Sequence, residues 1–92
     1  MKNLEGMTFV VTGVLDGFTR NEVATLIEGH GGKLRGSVSN STNYLVVGKE
    51  PGVTKLEKAM ELGVRTIGLK ELMGMASLGL KGVEEFIGMK ID

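Results

Sequence analysis

The chain has 92 residues, a length that suits one domain with a single modest core. It carries 11 Lys plus Arg against 11 Asp plus Glu, no Cys and one His. This composition excludes a uniformly basic nucleic-acid-binding surface, a disulfide framework, a Cys nucleophile and a His-based zinc site. No apolar run approaches the roughly 18 residues of a membrane span, and the N-terminus lacks a signal-peptide pattern. We therefore expect an intracellular domain with no membrane partner, cut from a longer protein.

The first part of the chain predicts a strand followed by a well-capped helix. The β-rich run 8–12 (TFVVT) predicts a buried strand. Thr19 and Glu22 have the spacing of a capping box, and Phe18 and Val23 occupy the positions of a hydrophobic staple. We expect a helix that begins directly after Thr19 and ends at the glycine-rich turn behind it.

The remainder repeats the alternation of strands and helices. Residues 33–38 predict a weak strand, residues 44–47 a buried one, and residues 64–67 a fourth strand. Between the last two strands, Thr54 and Glu57 have the spacing of a second capping box. This spacing predicts a helix that begins directly after Thr54. Its apolar face is expected to contain Leu56, Ala59 and Met60, and Gly63 predicts its end.

Apolar residues place two more helices and a core. The third helix follows from Leu69, Leu72, Met73 and Ala76, and a short fourth one from Val83, Phe86 and Ile87. The order β-α-β-β-α-β-α predicts an α/β fold with a mainly parallel sheet covered by helices on both faces. The residues expected to be buried are Val10, Leu26, Ile27, Leu45, Val46, Ala59, Ile67 and Leu72.

The residue patterns do not favour catalysis or a cofactor. The glycines around residues 29–33 close a helix instead of opening one, and Leu34 stands where a phosphate-binding loop needs Ser or Thr. His30 is interpreted as a boundary residue beside the glycine turn, and the pair 84–85 (EE) as a solvated face. We therefore expect no catalytic residue, no metal and no cofactor in this chain.

Two cations stand at helix ends where a positive charge is disfavoured. Arg20 and Lys55 open the first and second predicted helices, although a helix N-terminus carries partial positive charge. An external anion held by both side chains would explain why cations occupy these positions. Thr12 and Gly13, at the carboxyl end of the first strand, would lie on the same edge of the sheet. The alternative is that both cations point into solvent.

Five stretches of the chain together resemble a BRCT domain over residues 4–76. They are 4–13 (LEG…FVVTG), 20–22 (RNE), 27–33 (IE…GGK), 37–48 (SVSNSTNYLVVG) and 55–63 (KLEKA…LG). The branch that looks most similar is shared by bacterial NAD-dependent DNA ligases and the large subunit of the clamp loader replication factor C.

The resemblance implies a BRCT-like three-layer domain, with a four-stranded parallel sheet flanked by three helices. The domain is expected over 4–78, with 79–92 as a C-terminal extension that carries the possible short helix. Many BRCT domains have a Trp in the third helix. This chain has none, and Leu72 occupies the equivalent place.

The resemblance also implies a phosphate site and a function. Phosphate-binding members use a Ser/Thr-Gly pair after the first strand and a Lys that opens the second helix, and the DNA-end-binding branch adds an Arg that opens the first. By resemblance these residues are Thr12, Gly13, Arg20 and Lys55. The implied function is a non-catalytic module that binds a DNA end or nick through a 5′-phosphate pocket, inside a DNA ligase or clamp-loader subunit.

The partners implied are DNA with a 5′-phosphate and other domains of the parent protein. The alternative is a protein–protein interaction module, phosphopeptide-dependent or not. Zero net charge implies that any DNA binding is local and modest, because affinity scales with the phosphates that are neutralised. Further cations are candidates for DNA backbone contacts or, equally, simply solvated: Lys33, Arg35, Lys49 and Lys58.

Overall fold

The structure is a computed structural model, and it describes residues 3–77. In chain order the elements are β1 (Thr8–Thr12), α1 (Arg20–Gly29), β2 (Lys33–Arg35), β3 (Tyr44–Val47), α2 (Val53–Leu62) and β4 (Arg65–Ile67). A third helix, α3, covers residues 69–77. The helix expected around Val83 lies outside the described residues, as does the proposed extension 79–92, so the division at residue 78 stays a prediction.

The four strands form one parallel sheet in the order β2-β1-β3-β4. Val10 on β1 lies between Arg35 on β2 and Leu45 on β3. Helices α1 and α3 cover one face of the sheet, and α2 covers the other. The expected α/β fold, a four-stranded parallel sheet flanked by three helices, is confirmed.

Side chains of the strands alternate between two hydrophobic clusters, as the period of a β-strand requires. The cluster under α1 and α3 contains Phe9, Val11 and Val46, and the cluster under α2 contains Val10 and Leu45. The expected core is confirmed for every residue except Leu26, which is half-buried against the first cluster. The confirmed residues are Val10, Ile27, Leu45, Val46, Ala59, Ile67 and Leu72.

Two methionines expected on apolar helix faces point towards solvent instead. Met60 is 83% exposed and Met73 is 41% exposed, whereas Met75 is 2% exposed. Each exposed methionine follows a fully buried residue, Ala59 or Leu72, and so lies about 100° further round its helix. The buried faces of α2 and α3 are therefore narrower than their apolar residues predicted.

Helix α1 begins where its capping box predicted. The Thr19 hydroxyl accepts from the N–H of Glu22 at 3.1 Å, and the Glu22 carboxylate accepts from the N–H of Thr19 at 2.8 Å. Arg20 is therefore the first residue of the helix.

The predicted start of α2 is wrong by two residues. The helix begins at Val53 with Gly52 as its N-cap, so Thr54 makes no cap bond and Lys55 is the third residue instead of the first. The Gly52 N–H donates to the hydroxyl of Thr12 at 2.7 Å, and the Gly52 carbonyl accepts from Leu56. This bond to β1 holds the backbone where the helix starts.

The ends of three other elements differ little from expectation. Helix α2 stops at Gly63, which adopts the left-handed conformation with φ 71°. Strand β2 ends at Arg35, before Ser37 and Val38, and Val38 is buried in the cluster under α2. Strand β4 begins one residue later than predicted, at Arg65.

Candidate anion site

The segments that follow β1 and β3 are tied together at the carboxyl edge of the sheet. The N–H of Val14 donates to the Lys49 carbonyl and the N–H of Lys49 donates to the Val14 carbonyl, both at 2.8 Å. Between β1 and this bridge, Gly13 has φ +82°, and a Cβ placed there would lie 2.5 Å from the Lys49 carbonyl oxygen. The backbone path therefore requires glycine.

This arrangement leaves the N–H of Gly13 pointing away from β3. The Thr12 carbonyl accepts from the N–H of Gly48 at 2.9 Å, so it faces β3. In a trans peptide the next N–H points the opposite way, and the ladder between β1 and β2 has already ended at Val10 and Arg35. Among residues 3–77 the Gly13 N–H has no backbone partner, and Gly13 is exposed.

The side chain of Lys55 reaches the same edge from α2. Its Nζ donates to the carbonyl of Val11 at 3.3 Å. Successive carbonyls of a strand alternate in direction, so the Val11 carbonyl points to the side that the Gly13 N–H also faces. An ammonium has three donors, and this one retains two for a ligand.

Thr12 lies beneath the edge. It is 5% exposed, and its hydroxyl oxygen accepts from Gly52 at 2.7 Å. Because a hydroxyl both accepts and donates, this bond leaves the hydroxyl proton available. Thr12 therefore links β1 to the N-terminus of α2 and keeps one donor in reserve.

Arg20 lies on the other side of Gly13, at the first residue of α1. Both residues line one concavity of about 300 Å³ between the β1–α1 loop and the start of the helix. The full lining is Val11, Gly13, Val14, Leu15, Phe18, Thr19, Arg20 and Val23. Gly13 and Arg20 thus share a surface, and Lys55 contacts Val11, a further lining residue, whereas Thr12 is buried next to Gly13 and does not line the concavity.

These groups can together bind an anion. They comprise the Gly13 N–H and the buried Thr12 hydroxyl at the end of β1, and the Arg20 guanidinium and Lys55 ammonium in the first turns of α1 and α2. Anions are favoured at helix N-termini by the helix dipole and by unpaired N–H groups. Within residues 3–77, no group of three His, Cys, Asp or Glu side chains has the arrangement of a metal site.

The additional candidate cations occupy different positions. Lys33 and Arg35 are exposed on the edge strand β2, and Arg35 ends that strand. Lys58 is exposed on α2, one turn after Lys55. In contrast, Lys49 forms an exposed ion pair, with its Nζ 2.7 Å from Asp16 Oδ2.

Sequence reasoning missed three participants at this edge: Gly52, Val14 and the carboxylate of Asp16. The Pro51-Gly52 turn was visible in the sequence, but its bond to Thr12 joins residues 40 positions apart. Val14 is 62% exposed on the wall of the concavity, which no local pattern indicated.

No helix among the described residues has the length and apolar character needed to cross a membrane.

Comparison with known proteins identifies relatives in both expected groups. A DNA ligase from Roseiflexus castenholzii is 54% identical over 74 residues, which cover 77% of this chain and 10% of the ligase. Human replication factor C subunit 1 is 52% identical over 64 residues, or 70% of this chain and 6% of that protein. The chain therefore spans about a tenth or less of the length of these relatives.

Solved structures share the fold at low sequence identity. Rad4 BRCT1,2 in complex with a Crb2 phosphopeptide superposes with a TM-score of 0.70 at 18% identity, covering 80% of this chain and 40% of that one. The C-terminal BRCT domain of human XRCC1 gives 0.64 at 15% identity, covering 78% and 76%. The model of the BRCA1 C Terminus (BRCT) domain family matches residues 1–75. The chain belongs to the BRCT family.

Proposed function

We propose that this domain is a non-catalytic module that binds a 5′-phosphorylated DNA end or nick. The observation that carries the proposal is the edge at Gly13. Its N–H, which has no partner within residues 3–77, and the Lys55 ammonium face the same side of β1, beside a concavity that Arg20 also lines. Thr12 adds a hydroxyl proton from beneath.

A terminal phosphate fits this set of donors better than an internal phosphodiester. A terminal monoester carries between one and two negative charges near neutral pH and has three strong acceptor oxygens. Two cations, one N–H and one hydroxyl can satisfy that charge and those oxygens. A bound anion would also compensate the unfavourable position of Arg20 and Lys55 in the first turns of α1 and α2.

The parent protein in this proposal is a DNA ligase or the large subunit of a clamp loader. Similarity to the ligases and to replication factor C subunit 1 supports it. Catalysis would belong to other parts of that parent, and this domain would hold the DNA. Such a module acts where chromosomal DNA is, in the cytoplasm and nucleoid of a bacterium or the nucleus of a eukaryote.

The test compares duplex DNA with and without a 5′-phosphate at physiological salt, by fluorescence anisotropy. We expect the phosphorylated end to bind more tightly. Arg20→Ala and Lys55→Ala should each weaken that binding by roughly 1 to 3 kcal/mol, the scale of a hydrogen bond between charged groups. Arg20→Ala should keep or slightly raise the free energy of unfolding, because it removes an unfavourable dipole interaction. Lys55→Ala also loses the bond from Nζ to the Val11 carbonyl, so we expect the two effects to offset and the free energy of unfolding to change little.

The interaction between substitution and ligand separates a pocket from general attraction. On DNA without the terminal phosphate, Arg20→Ala and Lys55→Ala should have almost no effect, because the group that they contact is missing. Lys58→Ala, one turn after Lys55, is the matched control and should weaken both DNAs alike. Equal binding of phosphorylated and unphosphorylated ends by the wild-type domain refutes the proposal.

A phosphopeptide is the second candidate ligand. The similar structures of Rad4 BRCT1,2 are complexes with phosphopeptides, from Crb2 and from Mdb1. The same Gly13, Arg20 and Lys55 donors would contact a phosphoserine or phosphothreonine. If a phosphopeptide displaces phosphorylated DNA while its unphosphorylated form does not, and binds more tightly than the DNA, this second function replaces the first.

A further inference from the structure

The concavity beside the anion site has an apolar floor that a phosphate does not use. Besides Arg20 and Gly13, its lining includes the apolar residues Leu15, Phe18 and Val23. Leu15 and Val23 are 6% and 1% exposed, so the floor is the top of the hydrophobic core. A phosphate bound over apolar groups gains no hydrogen bonds from them, so the floor fits a different part of the ligand.

Val14 extends this apolar surface into solvent. It follows Gly13 directly, lines the concavity and is 62% exposed. Its backbone is held on both sides by hydrogen bonds to Lys49, so the side chain is presented on a fixed support. A rigid exposed valine beside a charged site is desolvated only when a ligand places an apolar surface against it.

We propose that this concavity binds the 5′-terminal nucleoside, with the deoxyribose and one face of the base against Val14 and the phosphate at Gly13. This inference rests on the proposed function and narrows its substrate. The volume of about 300 Å³ lies at the lower end of the range for small-molecule pockets, which suits one nucleoside and not a stretch of duplex. Arg20 at the rim of the same concavity supplies the positive charge that complements the adjoining phosphate.

The consequence is a preference for DNA ends over nicks. At an end, the terminal nucleoside is stacked on one side only, so moving it onto Val14 disrupts less stacking. At a nick, the nucleoside stays between two neighbours, and leaving that position costs more. The domain therefore distinguishes two substrates that carry the same 5′-phosphate.

The experiment uses three probes: inorganic phosphate, thymidine 5′-monophosphate, and duplex DNA with a 5′-phosphorylated end or nick. Binding is followed by NMR chemical-shift titration for the two small probes and by anisotropy for DNA. Wild type should bind thymidine 5′-monophosphate more tightly than phosphate. Val14→Thr keeps the shape and the backbone bonds but replaces a methyl by a hydroxyl. It should lower the affinity for thymidine 5′-monophosphate roughly three- to tenfold.

Val53→Thr is the matched control, because Val53 is 66% exposed at the start of α2 and is not among the residues lining the concavity. It should leave the affinities for phosphate, the nucleotide and both DNAs unchanged, and Val14→Thr should leave the affinity for inorganic phosphate unchanged. The inference is overturned if Val14→Thr has no effect on the nucleotide, if Val53→Thr has the larger effect, or if ends and nicks bind equally. If one of these results is found but the wild type still binds phosphorylated DNA more tightly than unphosphorylated DNA, the proposed function stands without the nucleoside site. If the wild type binds the two DNAs equally, both the proposed function and the nucleoside site are refuted.

Discussion

At the scale of single residues, Gly13 shows how one backbone conformation supports a site. We expect Gly13→Ala to lower the free energy of unfolding by roughly 1 to 3 kcal/mol, because φ +82° is strained for any side chain and a Cβ would meet the Lys49 carbonyl at 2.5 Å. Urea denaturation measures the loss. Gly36→Ala is the matched control, because a Cβ there meets nothing within 4 Å. Equal stability of the two variants would contradict the conformation given for Gly13.

Leu45 tests the core in the same way. It is fully buried in the cluster under α2, together with Val10 and Ala59, and Leu45→Ala should cost roughly 2 to 5 kcal/mol in thermal or urea unfolding. Met60→Ala should change stability by less than about 0.5 kcal/mol, since Met60 is 83% exposed. A loss below about 0.5 kcal/mol for Leu45→Ala would mean that β3 does not have this sheet position.

At the scale of elements, the two threonines near the starts of α1 and α2 should behave differently. Thr19→Ala removes a cap that bonds Glu22, and it should cost roughly 0.5 to 2 kcal/mol. Thr54→Ala should be nearly neutral, because Gly52 is the N-cap of α2 and Thr54 is already inside the helix. The melting temperatures of the two variants test this difference. If Thr54→Ala lowers the melting temperature as much as Thr19→Ala does, Thr54 is the N-cap of α2.

At the scale of the whole molecule, zero net charge limits how DNA binding responds to salt. The logarithm of the binding constant falls against log salt with a slope of about −0.9 for each phosphate neutralised on duplex DNA. If Arg20 and Lys55 neutralise only the terminal phosphate, which carries between one and two negative charges, we expect a slope between about −1 and −2, and Arg20→Ala should make it shallower. A slope steeper than about −4 would show that DNA also crosses the cations of β2 and α2.

Local signals predicted those parts of the fold that depend on neighbours in sequence. The bounds of β1 and β3, the capping box at Thr19 and the helix stop at Gly63 all agree with the structure. Each of these features is set by interactions within a few residues: alternating burial, a side chain bonding three positions away, or a glycine that tolerates positive φ. A sequence displays such features directly.

The errors occur where distant residues meet. The start of α2 depends on the bond from Gly52 to Thr12, and the exposure of Met60 depends on how α2 rests on the sheet. Similarly, nothing around Lys49 shows that Asp16 lies 2.7 Å from its ammonium. These contacts form only after the sheet has assembled, so no local pattern records them.

The sequence by itself determined the order of the elements and the α/β class, because hydrophobic period and turn residues are local properties. The four candidate residues Thr12, Gly13, Arg20 and Lys55 followed from cations near helix starts together with the resemblance to the BRCT family, and their role in binding stays a prediction. Only the tertiary structure decided how those four residues are arranged: Gly13 and Arg20 line one concavity, Lys55 contacts its residue Val11, and Thr12 is buried against the start of α2. That arrangement depends on the parallel pairing of β1 with β3 and on the contact between the start of α2 and β1. These contacts bring together residues some 40 positions apart.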